Sequence, residues 1–207
     1  MAPVRTRRST ALRWLGWPLR AFHEKLAFPA RNRDLARRLG PWLEGAPRVL
    51  DCGAGDGKLA VAIAQRVGGE FVGCDVHVPS VTSIPVVAYD GAHLPWADRQ
   101  FDCVLLSDVL HHARDPRQVL QEARRVSRRH VIVKDHDWRG RLDYAALAFF
   151  DWIANAPFGI HVPMNFLQEQ QWHDLFRAVG LTILQTQKFR LHRLDPCRQI
   201  LFKLAVD

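Results

Sequence analysis

Asp51-Cys52-Gly53-Ala54-Gly55-Asp56-Gly57 sets a carboxylate and three closely spaced glycines between an apolar run, Arg48 to Cys52, and a run of helical composition, Lys58 to Val67. Glycine tolerates positive φ, and its missing Cβ lets a ligand lie against the main chain at the positive end of a helix. The chemistry is that of a nucleotide-type cofactor site built from backbone. A dinucleotide fingerprint has the spacing G-x-G-x-x-G, whereas this chain has G-x-G-x-G with Asp51 before it. A carboxylate at that turn suits a ligand carrying positive charge better than a pyrophosphate. Asp75 ends a second apolar run, Phe71 to Cys74, about 20 residues on, where a ribose-binding acid is expected in doubly wound folds.

A second group has the side chains to move protons. His111, His112, Asp135 and His136 are candidate bases, because imidazole titrates near neutral pH. Asp135 and His136 are adjacent and could form an oriented acid/base pair, although neighbours along a strand point to opposite faces. No H-E-x-x-H or comparable spacing occurs, so no metal site is expected.

These groups need strands to carry them. Apolar runs over Arg48–Cys52, Phe71–Asp75, Val86–Asp90, Phe101–Ser107, His130–Trp138, Leu181–Gln187 and Gln199–Ala205 read as seven strands. Ligands in such sheets bind beyond the carboxyl ends of the strands, so the polar end of the fifth, Lys134 to Trp138, should face an acceptor. Leu142, Ala145, Ala146, Phe149, Phe150 and Ile153 recur at helical spacing, and Ala156 to Pro163 reads as a loop. This segment is a lid, an ordinary helix on the sheet edge, or both. Asn165 is expected to cap the next helix with Gln168 in a capping box, Trp172, Leu175, Phe176 and Val179 on its apolar face, and Gly180 as its stop. His77 to Pro85 holds two prolines and little helical pattern.

At 207 residues and 48% hydrophobic, with no repeat, the chain fits one α/β core domain. Its four cysteines form no C-x-x-C pair, and three lie inside apolar runs, as small core residues of a reducing compartment do. No run of about 18 apolar residues is present, so no transmembrane helix is expected and a cytoplasmic placement follows. Residues 1–48 hold a net charge of +8, which is the net charge of the whole chain, so the remainder sums to zero. The core therefore has no nucleic-acid signature of its own. The basic arm, residues 1–45, interleaves Trp14, Leu15, Trp17, Leu19, Phe22, Leu26 and Phe28 with Arg13, Arg20 and Lys25. An anionic membrane surface, RNA, the cofactor cleft, or plain solvent are all compatible contacts for it. Thr6-Arg7-Arg8 has a twin-arginine look, but Arg13 and Arg20 interrupt the apolar stretch an export signal needs.

The glycine turn with its preceding acid resembles the first motif of class I S-adenosylmethionine-dependent methyltransferases. Asp90-Gly91-Ala92-His93-Leu94-Pro95-Trp96, Phe101-Asp102-Cys103-Val104 and Val109-Leu110-His111-His112 look like the subgroup that includes quinone-biosynthesis methyltransferases. The resemblance covers roughly residues 45–135. It implies S-adenosylmethionine as cofactor, with Asp51, Gly53, Ala54 and Gly55 at the methionine end, Asp75 and Val76 at the ribose, Asp90 and Gly91 beside the adenine, and Ser107 closing the pocket. The implied fold is α/β: a doubly wound, seven-stranded, mostly parallel sheet with an antiparallel last strand, in a domain spanning 46–207 with 138–165 as lid or substrate segment. The chain departs from the family between Asp75 and Val86, where a helix is usual. The expected function is methyl transfer to a small, largely apolar acceptor such as a quinone, phenol, polyketide or lipid-like molecule. The arm gives grounds for peripheral membrane contact. An RNA methyltransferase and a non-catalytic membrane-associated binding protein on the same fold stay open. Against RNA, Ser107-Asp108-Val109-Leu110 lacks the Asn/Asp-Pro-Pro-aromatic sequence with which amino-group nucleic-acid methyltransferases clamp a flipped base.

Overall fold

The computed structural model describes residues 28–155, 163–191, 195 and 197–206. The arm residues Trp14 to Leu26 and the loop 156–162 lie outside the described residues. Seven strands form one sheet: β1 (Arg48–Cys52), β2 (Glu70–Asp75), β3 (Val86–Ala88), β4 (Phe101–Ser107), β5 (Ser127–Asp137), β6 (Leu181–Phe189) and β7 (Arg198–Val206). Their order is β3-β2-β1-β4-β5-β7-β6. β1 pairs in parallel with β2 and β4, β2 with β3, and β4 with β5, while β7 runs antiparallel to both β5 and β6. The doubly wound sheet with an antiparallel last strand is thus as the sequence leads one to expect.

Both faces of the sheet are covered, which is why the central strands are apolar throughout rather than alternating. On one face Leu50, Val104, Leu106, Val131, Val133 and Phe202 pack on α3 (Pro116–Val126) and α5 (Glu169–Ala178) through Leu120, Ala123, Trp172 and Phe176. On the other, Val49, Cys103, Leu105, Ile132 and Leu201 meet α1 (Phe28–Leu43) and α2 (Lys58–Val67) through Leu35, Leu39, Trp42, Ala60 and Ile63. α1 is therefore built into the core. The fifth helix, α4 (Arg141–Asn155), lies between β5 and α5 in sequence. No helix among the described residues is long and apolar enough to cross a membrane.

Three local expectations are corrected. β3 ends at Ala88 rather than Asp90, because Asp90 turns the chain by accepting the N–H groups of Ala92 and His93 at 2.8 and 2.6 Å. β5 begins at Ser127, three residues before the apolar run, since Ser127 already pairs with Phe101. The cap of α5 is Gln168, in a capping box with Gln171, whereas the Asn165 side chain donates to the Ala113 carbonyl at 2.8 Å. A polar side chain with a tertiary partner at hand is not available as a cap.

Candidate functional site

The glycine turn is packed from beneath at two positions and open at a third. Gly53 has φ 81°, its N–H donates to the Cys74 carbonyl at 2.7 Å, and a Cβ there would lie 2.3 Å from Val109 Cγ2. Gly57, φ 75°, precedes α2, and its Cβ would meet Ile84 Cγ1 at 2.5 Å. At Gly55, φ 54°, nothing lies within 4 Å of where a Cβ would sit. The Gly55 N–H donates to Asp75 Oδ2 at 2.8 Å, and Asp75 Oδ1 accepts from the His77 N–H at 2.9 Å. Asp75 therefore binds the turn to the end of β2, directly next to Ala54, which lies against Gly73.

The segment that lacks a helix closes this side in another way. Ser83 N–H donates to the Asp56 carbonyl at 2.8 Å, and Ile84 lies over both Gly57 and Gly73. A Cβ on Gly91 would lie 3.2 Å from Val76 Cγ1, so the loop after β3 abuts the end of β2. The Asp90 carboxylate is held well below its usual range, first by the His93 N–H and then by the His93 ring and the Ala92 N–H. It organises its own loop. Ser107, at the end of β4, has a buried Oγ with no hydrogen-bond partner among the described residues.

Asp51 is the informative acid. It is buried, 2% exposed, and burial followed by repulsion from Asp75 pushes its carboxyl up to about 7. No cation among the described residues is paired with it. A buried carboxyl raised this far fits a site that receives positive charge from a ligand.

The proton-transfer candidates meet beyond the ends of β4 and β5. His111 and His112 sit on a single 3₁₀ turn, Leu110–His112, after β4. His111 Nδ1 lies 2.7 Å from Asp135 Oδ1, while Asp151 Oδ1, from α4, is 3.8 Å from Nε2 of both His111 and His112. Asp135 thus pairs with His111 and with the His136 N–H rather than with the His136 ring. Burial alone would lower the His111 pKa, but Asp135 and Asp151 outweigh it and raise the ring to about 10. Its neighbours thus favour the protonated form of His111. His112 is lowered by burial and then by the His111 cation, and His136 is lowered to about 4 by burial and Lys134. Asp135 is kept below its usual range by His111 in spite of burial. His112, lowered from its ordinary value and with a side chain 25% exposed, is the most accessible of the four candidates.

Several members of this cluster were not singled out from sequence. Asp108, in a left-handed conformation at φ 58°, is bonded by Arg31 from α1 and by Lys134 at 2.5 Å. Those two cations overcome its burial and hold it well below the carboxylate range. Asp151 follows Tyr144 by seven residues, which places both on the same side of α4. Phe166 stacks on His111 with ring centroids 5.2 Å apart, and Tyr144 and Trp138 continue the aromatic wall at 5.9 and 5.2 Å. Asp108, His111 and His136, or His111, His112 and Asp151, bring ligand atoms within 4.8 Å of one another, the spacing a metal ion needs. In the first set Lys134 and Arg31 are already paired with Asp108, and in the second His111 lies between Asp135 and Asp151.

The chain is similar to known methyltransferases in sequence and in fold. The family profile described as "Methyltransferase domain" matches residues 22–186. The chain is 34% identical over 95 residues to a demethylmenaquinone methyltransferase of Corynebacterium kroppenstedtii, covering 44% of this chain and 40% of that protein. It is 34% identical over 116 residues to the methyltransferase GfsG of Streptomyces halstedii, covering 49% and 42%. The match thus spans less than half the length of these curated relatives. Among solved structures, the 1,6-didemethyltoxoflavin-N1-methyltransferase of Burkholderia thailandensis, with bound 1,6-didemethyltoxoflavin and S-adenosylhomocysteine, superposes with a TM-score of 0.66 at 16% identity, covering 100% of this chain and 92% of that one. At that identity the likeness is one of fold.

Proposed function

This chain belongs to the methyltransferase-domain family, and on that premise we propose that it transfers a methyl group from S-adenosylmethionine to a small, largely apolar acceptor. The observation that carries the reading is the juxtaposition of the open glycine turn and buried Asp51 with a neutral, partly exposed His112 at the same end of the sheet. S-adenosylmethionine, when bound, supplies an electrophilic methyl group on a positively charged sulfur. Asp51, Gly53, Ala54 and Gly55 would hold its methionine end, Asp75 and Val76 the ribose, Gly91 and the loop ordered by Asp90 the adenine, and Ser107 the pocket floor.

The remaining chemistry falls to the protein. Attack on an in-line S–CH3 bond needs above all that the acceptor atom be held in place, and a base where that atom carries a proton of high pKa. His112 takes that proton. Asp151 and the tilted His111 ring, with centroids 4.1 Å apart, hold His112 in place, and Asp135 fixes the orientation and charge of His111. His136 stays neutral and packs on Phe166 at 5.9 Å. The aromatic wall of Trp138, Tyr144 and Phe166 suits an acceptor with a flat or apolar body, such as a phenol, quinol or polyketide. The relatives named demethylmenaquinone methyltransferases are consistent with that class.

Incubation with methyl-labelled S-adenosylmethionine and a panel of phenols, quinols, a lipid extract and total RNA tests the reading. Label in a phenolic or quinol product, lost in His112→Gln with S-adenosylhomocysteine affinity unchanged, is the expected result. Label in RNA alone would overturn the acceptor class.

A further inference from the structure

α4 presents opposite chemistries on its two sides. Inward, Tyr144 donates its hydroxyl to the Met164 carbonyl at 3.3 Å, Leu147 is buried, and Asp151 reaches His111 and His112. Outward, Leu142, Ala145, Phe149 and Trp152 recur at i, i+3, i+7 and i+10 and are all exposed. Leu142 is 87% exposed, Phe149 and Trp152 are each 55% exposed, and Phe150 borders the stripe at 45%. Among the described residues no other helix carries large exposed apolar side chains, so the stripe is concentrated rather than scattered. Contiguous apolar surface of this kind marks a place where something binds. Arg139 and Arg141, both exposed, stand at the start of the helix beside Leu142.

We propose that the outer face of α4 docks the protein on an anionic lipid surface, from which the acceptor enters the site that the inner face of the same helix lines. The proposal rests on the apolar-acceptor reading above. Charge selects the occupant. Arg139 and Arg141, exposed at the start of the stripe, are complemented by anionic headgroups. Composition agrees, since Trp and Phe on an amphipathic helix flanked by Arg favour the boundary between headgroups and acyl chains. The geometry also gives the helix a reason to be two-faced: an acceptor leaving the lipid would pass from the outer stripe to the aromatic wall without crossing water.

Flotation of the full-length protein with phosphatidylcholine vesicles, with and without phosphatidylglycerol, tests this. The protein should rise with the anionic vesicles at low salt and stay behind with the neutral ones. In Leu142→Ser/Phe149→Ser/Trp152→Ser the bound fraction should fall by about tenfold, in proportion to the lost apolar area. Leu142→Asp alone, at a position too exposed to disturb packing, should give an intermediate loss. S-adenosylhomocysteine titration of the same preparations should be unchanged by these substitutions, which reads the fold and the cofactor site separately from the lipid contact. Wild-type protein remaining unbound to anionic vesicles, or the triple variant floating as the wild type does, would overturn the proposal. Absence of S-adenosylhomocysteine binding in a protein that floats would count against the methyl-transfer reading and not against the lipid contact.

Discussion

Replacing Asp51 by asparagine should strengthen the fold and weaken cofactor binding. The carboxyl titrates near 7 in the folded chain against an ordinary 3.8, so between these values the folded state holds a proton that the unfolded state has lost. Stability therefore falls as pH rises from about 4 to 7, by on the order of 4 kcal/mol once both states are ionised. The sign is opposite to that of a salt-bridged carboxylate. The amide has no charge to desolvate, so the Asp51→Asn variant should gain up to that amount at pH 8, less whatever hydrogen bonding the amide leaves unmet, and little at pH 4. The ammonium of S-adenosylhomocysteine, placed at Asp51, restores the ionised form, so this ligand should bind wild type with release of about one proton near pH 6 and almost none at pH 8.5. Urea denaturation of both proteins across this pH range, with calorimetry in two buffers of different ionisation enthalpy, measures each quantity. An Asp51→Asn protein that is less stable than wild type at pH 8, or that binds S-adenosylhomocysteine equally well, would refute the reasoning.

The same geometry fixes four further outcomes. Asp135→Asn should cost about 3–5 kcal/mol near pH 7, because it strands the buried His111 cation. His111 is raised to about 10, so its share of that stability is full below its ordinary value of 6.5 and is lost as pH rises through 10, where denaturation should show the variant approaching wild type. Imidazole NMR should find His111 protonated at pH 8, His136 neutral down to about pH 4, and His112 titrating below 6.5; a protonated His112 at pH 7 would remove it as the base. Gly53→Ala, with φ 81° and Val109 in the way, should lower thermal stability by about 1–3 kcal/mol and abolish cofactor binding, while Ile84→Ala, by uncovering Gly57 and Gly73, should weaken binding several-fold in calorimetry with a smaller stability loss.

The strands were legible because both faces of the sheet are covered, which leaves runs such as Val104-Leu105-Leu106 and Val131-Ile132-Val133 apolar without interruption. The glycine turn was legible because positive φ at Gly53, Gly55 and Gly57 leaves few other residue types admissible. The acid–base cluster was legible only as a set of candidates. Which acid meets which histidine depends on α1 and α4 being brought across the ends of β4 and β5, a tertiary fact that puts Arg31, 77 positions away, on Asp108. The Asp135–His136 ring pair does not form, as strand alternation implies, and Asn165 is not the cap because its partner, the Ala113 carbonyl, lies 52 residues away. Ile84 shows the converse: two prolines announce the missing helix, but nothing local announces that Ile84 covers the turn instead.

Calorimetric titration of S-adenosylhomocysteine into wild-type protein and into Asp75→Ala, with NAD as the comparison ligand, bears most directly on the central claim. The expected result is one site per chain in wild type, strongly weakened in the variant, whose Gly55 and His77 N–H groups lose their acceptor, and no heat from NAD. A wild-type chain that binds NAD and not S-adenosylhomocysteine, or an Asp75→Ala chain that binds as the wild type does, would contradict the account.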